Sequence, residues 1–192
     1  MENYDWLLKE YEEMFSEKRY YDGRSSSLIS LYFVFITIIV SIIAGANNII
    51  EGVVESFYSI LLATISLMGI FIVINMYFNR TNYVRVCRQI NAIRSFCLMN
   101  QIPRFIDDNK MYTDPGFPLY YMPNSMHLVF MHFIMMMNSI FVALAIIVGL
   151  DYHTFGTVVA VSFFAVTLII QVFALRQLLI NRDKREISSK EW

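Results

Sequence analysis

Cysteine, proline and glycine are all scarce: two, four and seven in a chain of 192 residues. Cys87 and Cys97 stand ten apart on one predicted helix. That pair makes no disulfide framework and sits naturally in a reducing compartment. The glycines are scattered and form no phosphate-cradling loop. No Ser-His-Asp or Cys-His arrangement and no paired carboxylates occur, so no catalytic residue is assigned and no enzyme is expected. The three histidines, His127, His132 and His153, lack Cys, Asp or Glu partners at ligand spacing, which leaves no metal site and no cofactor. The opening stretch MENYDWLLKEYEEMFSEKR is charged and lacks a signal-peptide pattern. No internal repeat or low-complexity segment is present.

Charge is also in short supply. Asp, Glu, Lys and Arg make up 16% of the chain, against about 25% in soluble domains. Hydrophobic residues reach 57% and mean hydropathy is +0.50. The apolar residues are gathered into four runs, 28–45, 57–78, 126–150 and 155–175, none of which contains a charged residue. Crossing about 30 Å of hydrocarbon takes about 20 helical residues at 1.5 Å each. Buried helices of a soluble bundle would carry a polar stripe and are disfavoured. The fold class expected is an all-α integral membrane protein: four transmembrane helices with cytoplasmic helical extensions.

Net charge is −1, yet its distribution is one-sided. All fifteen basic residues fall in three segments: the N-terminal 1–27, the 79–125 connection and the 176–192 tail. The other two connections carry only Glu51, Glu55 and Asp151. The positive-inside rule then places both termini and the middle connection in the cytoplasm. On that topology the sequon Asn79-Arg80-Thr81 is never glycosylated.

The middle connection begins with FNRTNYVRVCRQINAIRSF, residues 78–96, which holds four arginines and no acid. Without Gly or Pro before Met99, the second span continues as a helix to a stop at Pro103. At 100° per residue Arg80, Arg88, Asn91 and Arg94 share one face, and Val86, Ile90, Ile93 and Cys97 another. The N-terminal helix is amphipathic, with Leu7, Tyr11 and Met14 on one side. Arg80, Arg88 and Arg94 are the candidate ligand-binding residues. Their partners are anionic lipids, or a nucleotide or single-stranded oligonucleotide stacked on Tyr83, Phe96 or Phe105.

Inside the spans the polar residues are hydroxyls and amides. Thr64, Phe71 and Asn75 share a face of the second run, and Thr157, Phe164, Thr167 and Gln171 fall within about 80° on the fourth. Ser30, Thr37 and Ser41 align on the first, and His127, Met131, Asn138 and Val142 on the third. Each stripe either packs helices through hydrogen bonds or lines a water-filled path between subunits. Thr, Asn and Gln interrupted by Phe suit a hydrophobic gate that opens by wetting. The lack of an intramembrane acid argues against a proton-coupled transporter.

A charged helix running into a span, EEMFSEKRYYDGRSSSLISLYFVF, followed by a span running into a basic helix, MYFNRTNYVRVCRQINAIRSF, resembles the SLATT-type anti-phage membrane effectors. The four-span layout is similar to the channel subunit of the Hailong defence system, with the membrane subunit of the Kiwa system as a competing match. The resemblance implies a homotetrameric channel controlled by oligonucleotides that a partner nucleotidyltransferase makes. It carries over no site residue. The expected function is a homo-oligomeric gated ion channel acting in defence. The alternative is a non-conducting scaffold that anchors a soluble partner, and a small-molecule carrier ranks third.

Overall fold

The computed structural model describes residues 2–49, 55–98, 110–149 and 154–188. Among them the chain is all-helical, with α1 (Glu2–Ile49), α2 (Glu55–Leu98), the short α3 (Lys110–Thr113), α4 (Met126–Gly149) and α5 (Thr154–Ser188). Four of these, α1, α2, α4 and α5, are long and apolar enough to cross a membrane. The helix stop expected at Pro103, the acidic loop residues Glu51 and Asp151, and His153 lie outside the described residues.

Three helices overrun a bilayer. At 1.5 Å per residue α1 is roughly 70 Å long and α2 roughly 65 Å, more than twice the hydrocarbon thickness. α2 continues unbroken from the apolar run into the arginine-rich stretch, as the absence of Gly and Pro predicted. α4, with 24 residues, is cut to a single crossing. It is capped by Ser125, whose hydroxyl accepts from the Leu128 amide at 3.4 Å.

Packing follows chain order. α2 lies against α1 and α4, and α4 against α5. The core is filled by Ile65, Ile72 and Met76 of α2 with Leu128, Met131, Ile134 and Met135 of α4, all essentially inaccessible. These large side chains seal the interior among the described residues, leaving no room for a column of water within one subunit.

Small residues set the α2–α4 distance. Ser59 donates to the Ala145 carbonyl at 2.8 Å and Ser66 to the Asn138 carbonyl at 3.3 Å. One turn on, a Cβ at Gly69 would fall 1.7 Å from Asn138 Oδ1, so only glycine admits that amide. Asn138 Oδ1 accepts from the Tyr32 hydroxyl at 2.7 Å, tying α1 to α4 in the middle of the apolar layer. Such bonds contribute about 0.6–2 kcal/mol each in a membrane.

Beyond the apolar layer α1 and α2 form an antiparallel pair. Met14 packs on Val86 and Ile90, with Tyr11 and Phe15 alongside. Asn79 donates to the Tyr21 carbonyl at 2.8 Å and to the Ser25 hydroxyl at 2.7 Å. The apolar face read from Val86 and Ile90 is thus the one that meets α1, while Cys97 at its far end is exposed.

Candidate functional site: a basic cavity beside the connector

The connector 114–125 is irregular, and its backbone needs partners that no helix or sheet supplies. The arginine face supplies them. Arg80 donates through Nη2 to the Leu119 carbonyl at 2.9 Å and through Nε to the Tyr120 carbonyl at 3.4 Å. Arg88 Nε donates to the Pro118 carbonyl at 3.2 Å, and Asn91 Nδ2 to the carbonyls of Asp114 at 3.1 Å and Phe117 at 2.9 Å. Asp114 also starts a tight turn, accepting the Gly116 amide at 2.6 Å on its side chain.

Arg88 then reaches α5. Its Nη2 meets Asp183 Oδ1 and its Nη1 meets Glu186 Oε2, each at 2.6 Å. Asp183 accepts the Tyr120 amide, the Tyr120 hydroxyl donates to Glu186, and the Arg88 guanidinium stacks 4.6 Å above the Tyr120 ring. Burial and the Glu186 carboxylate push the Tyr120 phenol upward. This cluster closes α2, the connector and α5 into one lock. Sequence reasoning had no place for Asp183 and Glu186. Their only signal was an i, i+3 pair of acids in a basic tail.

The candidate arginines therefore do not form an open ligand face. Arg80 and Arg88 are turned under the connector, at 2% and 8% exposure. Arg94 donates to the Tyr11 hydroxyl at 3.0 Å and lies over the Tyr11 and Phe15 rings. Tyr83 lies beside Arg80, and Phe96 is exposed and distant from the connector-facing side of α2. Phe105 is outside the described residues.

Arg80 and Arg94, but not Arg88, border a half-open cavity of about 490 Å³ lined by α1, α2, the connector and the start of α4. Lys18 and Asp22 enter it from α1, Tyr83 and Cys87 from α2, and His127 from α4. His127 Nε2 is 3.5 Å from Asp22 Oδ1, and its Nδ1 is 3.5 Å from Arg80 Nη1. A guanidinium can only donate, so Nδ1 is the bare nitrogen and Nε2 carries the proton toward Asp22. The Tyr83 ring packs edge-on against the imidazole at 4.7 Å. Burial dominates the electrostatics here. It lowers the Arg80 guanidinium and raises the Tyr83 phenol and the Cys87 thiol. It also raises the Asp22 carboxyl, against the pull of Lys18 and Arg80.

The expected pore residues lie elsewhere. Thr64 and Phe71 face out of the subunit on α2, Phe71 at 57% exposure, with Asn75 half-buried beside them. Thr64 and Asn75 spend their donors on their own helix, on the carbonyls of Ile60 and Phe71. On α5 Thr157 is exposed, Phe164 and Thr167 are half-buried, and Gln171 turns inward to within 3.4 Å of the Ser139 hydroxyl. Gln171 borders an apolar crevice of about 310 Å³ between α2 and α5. One subunit does not bring the two stripes together. Among the described residues no group of His, Cys, Asp and Glu could hold a metal ion.

Fold and cavity together define a class: an all-helical chain with four helices able to span a membrane and a basic cavity where they leave the apolar layer. Comparison with known proteins goes no further, since no family model, no curated protein and no solved structure matches the chain.

Proposed function

We propose that the chain is the subunit of a gated ion-conducting assembly in the bacterial inner membrane, a homotetramer with both termini and the connector on the cytoplasmic side. The concentration of basic residues at one end of the bundle supports that orientation. The carrying observation is the pairing of a sealed interior with an outward face on α2 that mixes Thr64 and Asn75 with Phe71. A path for ions then runs between copies rather than through one, and rings of Phe71 would hold it dry until the assembly opens. Control by a cytoplasmic nucleotide or oligonucleotide, and a role in anti-phage defence alongside a nucleotidyltransferase, rest on the resemblance in layout. Single-channel recording of the purified protein in planar bilayers, with and without short oligonucleotides, tests the reading. Discrete conductance is the expected result.

A second reading is a non-conducting membrane scaffold for a soluble partner. It is favoured by the apolar tip of the α1–α2 pair, where Trp6, Leu8 and Phe96 are exposed. A cavity of about 700 Å³ opens there between Leu7, Tyr11, Ile93 and Leu98. A scaffold is electrically silent under every condition of the recording.

A further inference from the structure

Arg80 is a cation at 2% exposure, and among the described residues no carboxylate lies within ion-pair distance of it. Three of its five N–H groups are used, by two carbonyls and His127 Nδ1, which leaves two over. Burying a charge without a counter-ion is costly, by several kcal/mol even after relaxation. Lys18 shares the cavity and likewise has no carboxylate within ion-pair distance among the described residues, feeling Asp22 only at longer range and lying 6.0 Å from the Phe15 ring. Asp22, the one acid in the wall, accepts from His127 and also acts on Lys18 and Arg80, so a single carboxylate faces the three cations Lys18, Arg80 and Arg94. The cavity is therefore short of negative charge, and its volume falls within the range of small-molecule sites.

We infer that this cavity binds a phosphate-bearing anion, with the phosphate between Arg80 and Lys18 and the rest of the molecule extending along α2 past Ile90 toward Arg94. The mixture of wall residues suits such a ligand. Phe15, Ile90, Met122 and Met126 offer apolar contact, and Asn124 and Ser125 of the connector offer hydrogen bonds. Arg80 follows the end of the second apolar run by two positions, and His127 is the second residue of the third. The phosphate end of the cavity therefore lies at the depth of lipid headgroups, so the anion is either a phospholipid headgroup or a free phosphate compound. Its binding ties α1 and α2 together through one charge. The inference deepens the ligand-controlled reading and rests on it only for what binding does to conduction.

The test uses the full chain and reads binding, so an electrically silent bilayer leaves it standing. Cys87 lines the cavity and serves as the reporter. Its alkylation rate and the thermal midpoint are measured in phosphatidylcholine nanodiscs with and without phosphatidylglycerol, and in delipidated detergent with and without inorganic phosphate. The expected result is a higher midpoint and slower Cys87 alkylation when anion is present. A gain in nanodiscs alone identifies a lipid headgroup. A gain in detergent with phosphate identifies a free phosphate compound. Lys18→Gln should weaken the effect about fivefold, as the loss of one basic contact predicts. Arg19→Gln, the same charge change on an exposed residue outside the cavity, should leave it intact. Arg80→Gln also unties the connector. Where it folds it should lose the anion effect, and where it does not, Lys18→Gln decides. Cys87 alkylation unmoved by either anion, or slowed equally in wild type and Lys18→Gln, would overturn the assignment.

Discussion

Arg88 and Asp183 are 95 residues apart in sequence and 2.6 Å apart in space. Both side chains are largely buried, at 9% and 14% exposure. α5 otherwise meets the bundle mainly through α4, so this contact fixes where its polar end sits. Removing Arg88 leaves the Asp183 carboxylate buried without its counter-ion, which costs on the order of 3–5 kcal/mol, whereas removing Asp183 leaves Arg88 still paired with Glu186 and costs less. Arg88→Gln is therefore expected to lower the thermal midpoint in detergent sharply. Arg88→Gln with Asp183→Asn should cost less than the two single changes added together. Strict additivity in that cycle would mean that the ion pair holds nothing.

Gly69 and Asn138 make a second coupled pair. A methyl at Gly69 would overlap the Asn138 amide and force it away from Tyr32. Gly69→Ala should destabilise by about 1–3 kcal/mol, the usual cost of overpacking. Asn138→Ala alone strands the fully buried Tyr32 hydroxyl and carries its own cost. In the Gly69→Ala background, however, it removes the clash, so part of the lost stability should return. Unfolding midpoints of the four proteins decide, and no recovery in the double variant would place the strain elsewhere.

Much of this architecture was legible in the sequence. The four apolar runs, the unbroken passage of α2 beyond the second and the packing of Val86 and Ile90 all follow from composition and helical period. What stayed hidden was the destination of the arginine face. Periodicity places Arg80, Arg88 and Asn91 on one side of a helix but says nothing of what covers that side. The cover is a stretch of irregular backbone whose carbonyls need donors, together with two acids nearly a hundred residues away. Hydrogen-bond demand of that kind is non-local. The cavity residues Lys18, Asp22 and His127 were missed for the same reason, since they come from three different elements. Gly69 was one of seven scattered glycines until Asn138 appeared opposite.

The two thiols should separate by reactivity. Cys97 is exposed, whereas Cys87 is half-buried and its thiol is pushed up by burial, against smaller opposing effects from Tyr83 and Lys18. A raised thiol pKa means less thiolate at any given pH, and the thiolate is the species that is alkylated. Iodoacetamide at pH 8 is expected to modify Cys97 at least about tenfold faster than Cys87. In a Cys97→Ser background the remaining rate should keep climbing at pH values where an ordinary thiol has levelled off. Equal rates by mass spectrometry would show that Cys87 is freely solvated.

Orientation makes a prediction independent of the fold. With all fifteen basic residues confined to the segments 1–27, 79–125 and 176–192, a reporter fused after Trp192 should behave as cytoplasmic and one inserted at Asn48 as external. The reverse pattern would turn the cavity and its arginines toward the outside, where a cytoplasmic ligand could not reach them.

The gate can be probed with two phenylalanines that the structure places differently. Phe71 is exposed on the outer face of α2, so Phe71→Ser should change subunit stability by no more than about 0.5 kcal/mol. Phe164 is half-buried on α5, and its replacement should cost more. If rings of Phe71 keep a path between copies dry, Phe71→Ser lowers the dewetting barrier and ions leak without any stimulus. Cells expressing that variant should lose membrane potential, measured with a potential-sensitive dye, while cells expressing equal amounts of wild type hold theirs. A folded, assembled Phe71→Ser that leaves the potential intact would reduce the α2 face to lipid or packing contact. The search for a gate would then move to Phe164, and a silent Phe164→Ser as well would favour the scaffold.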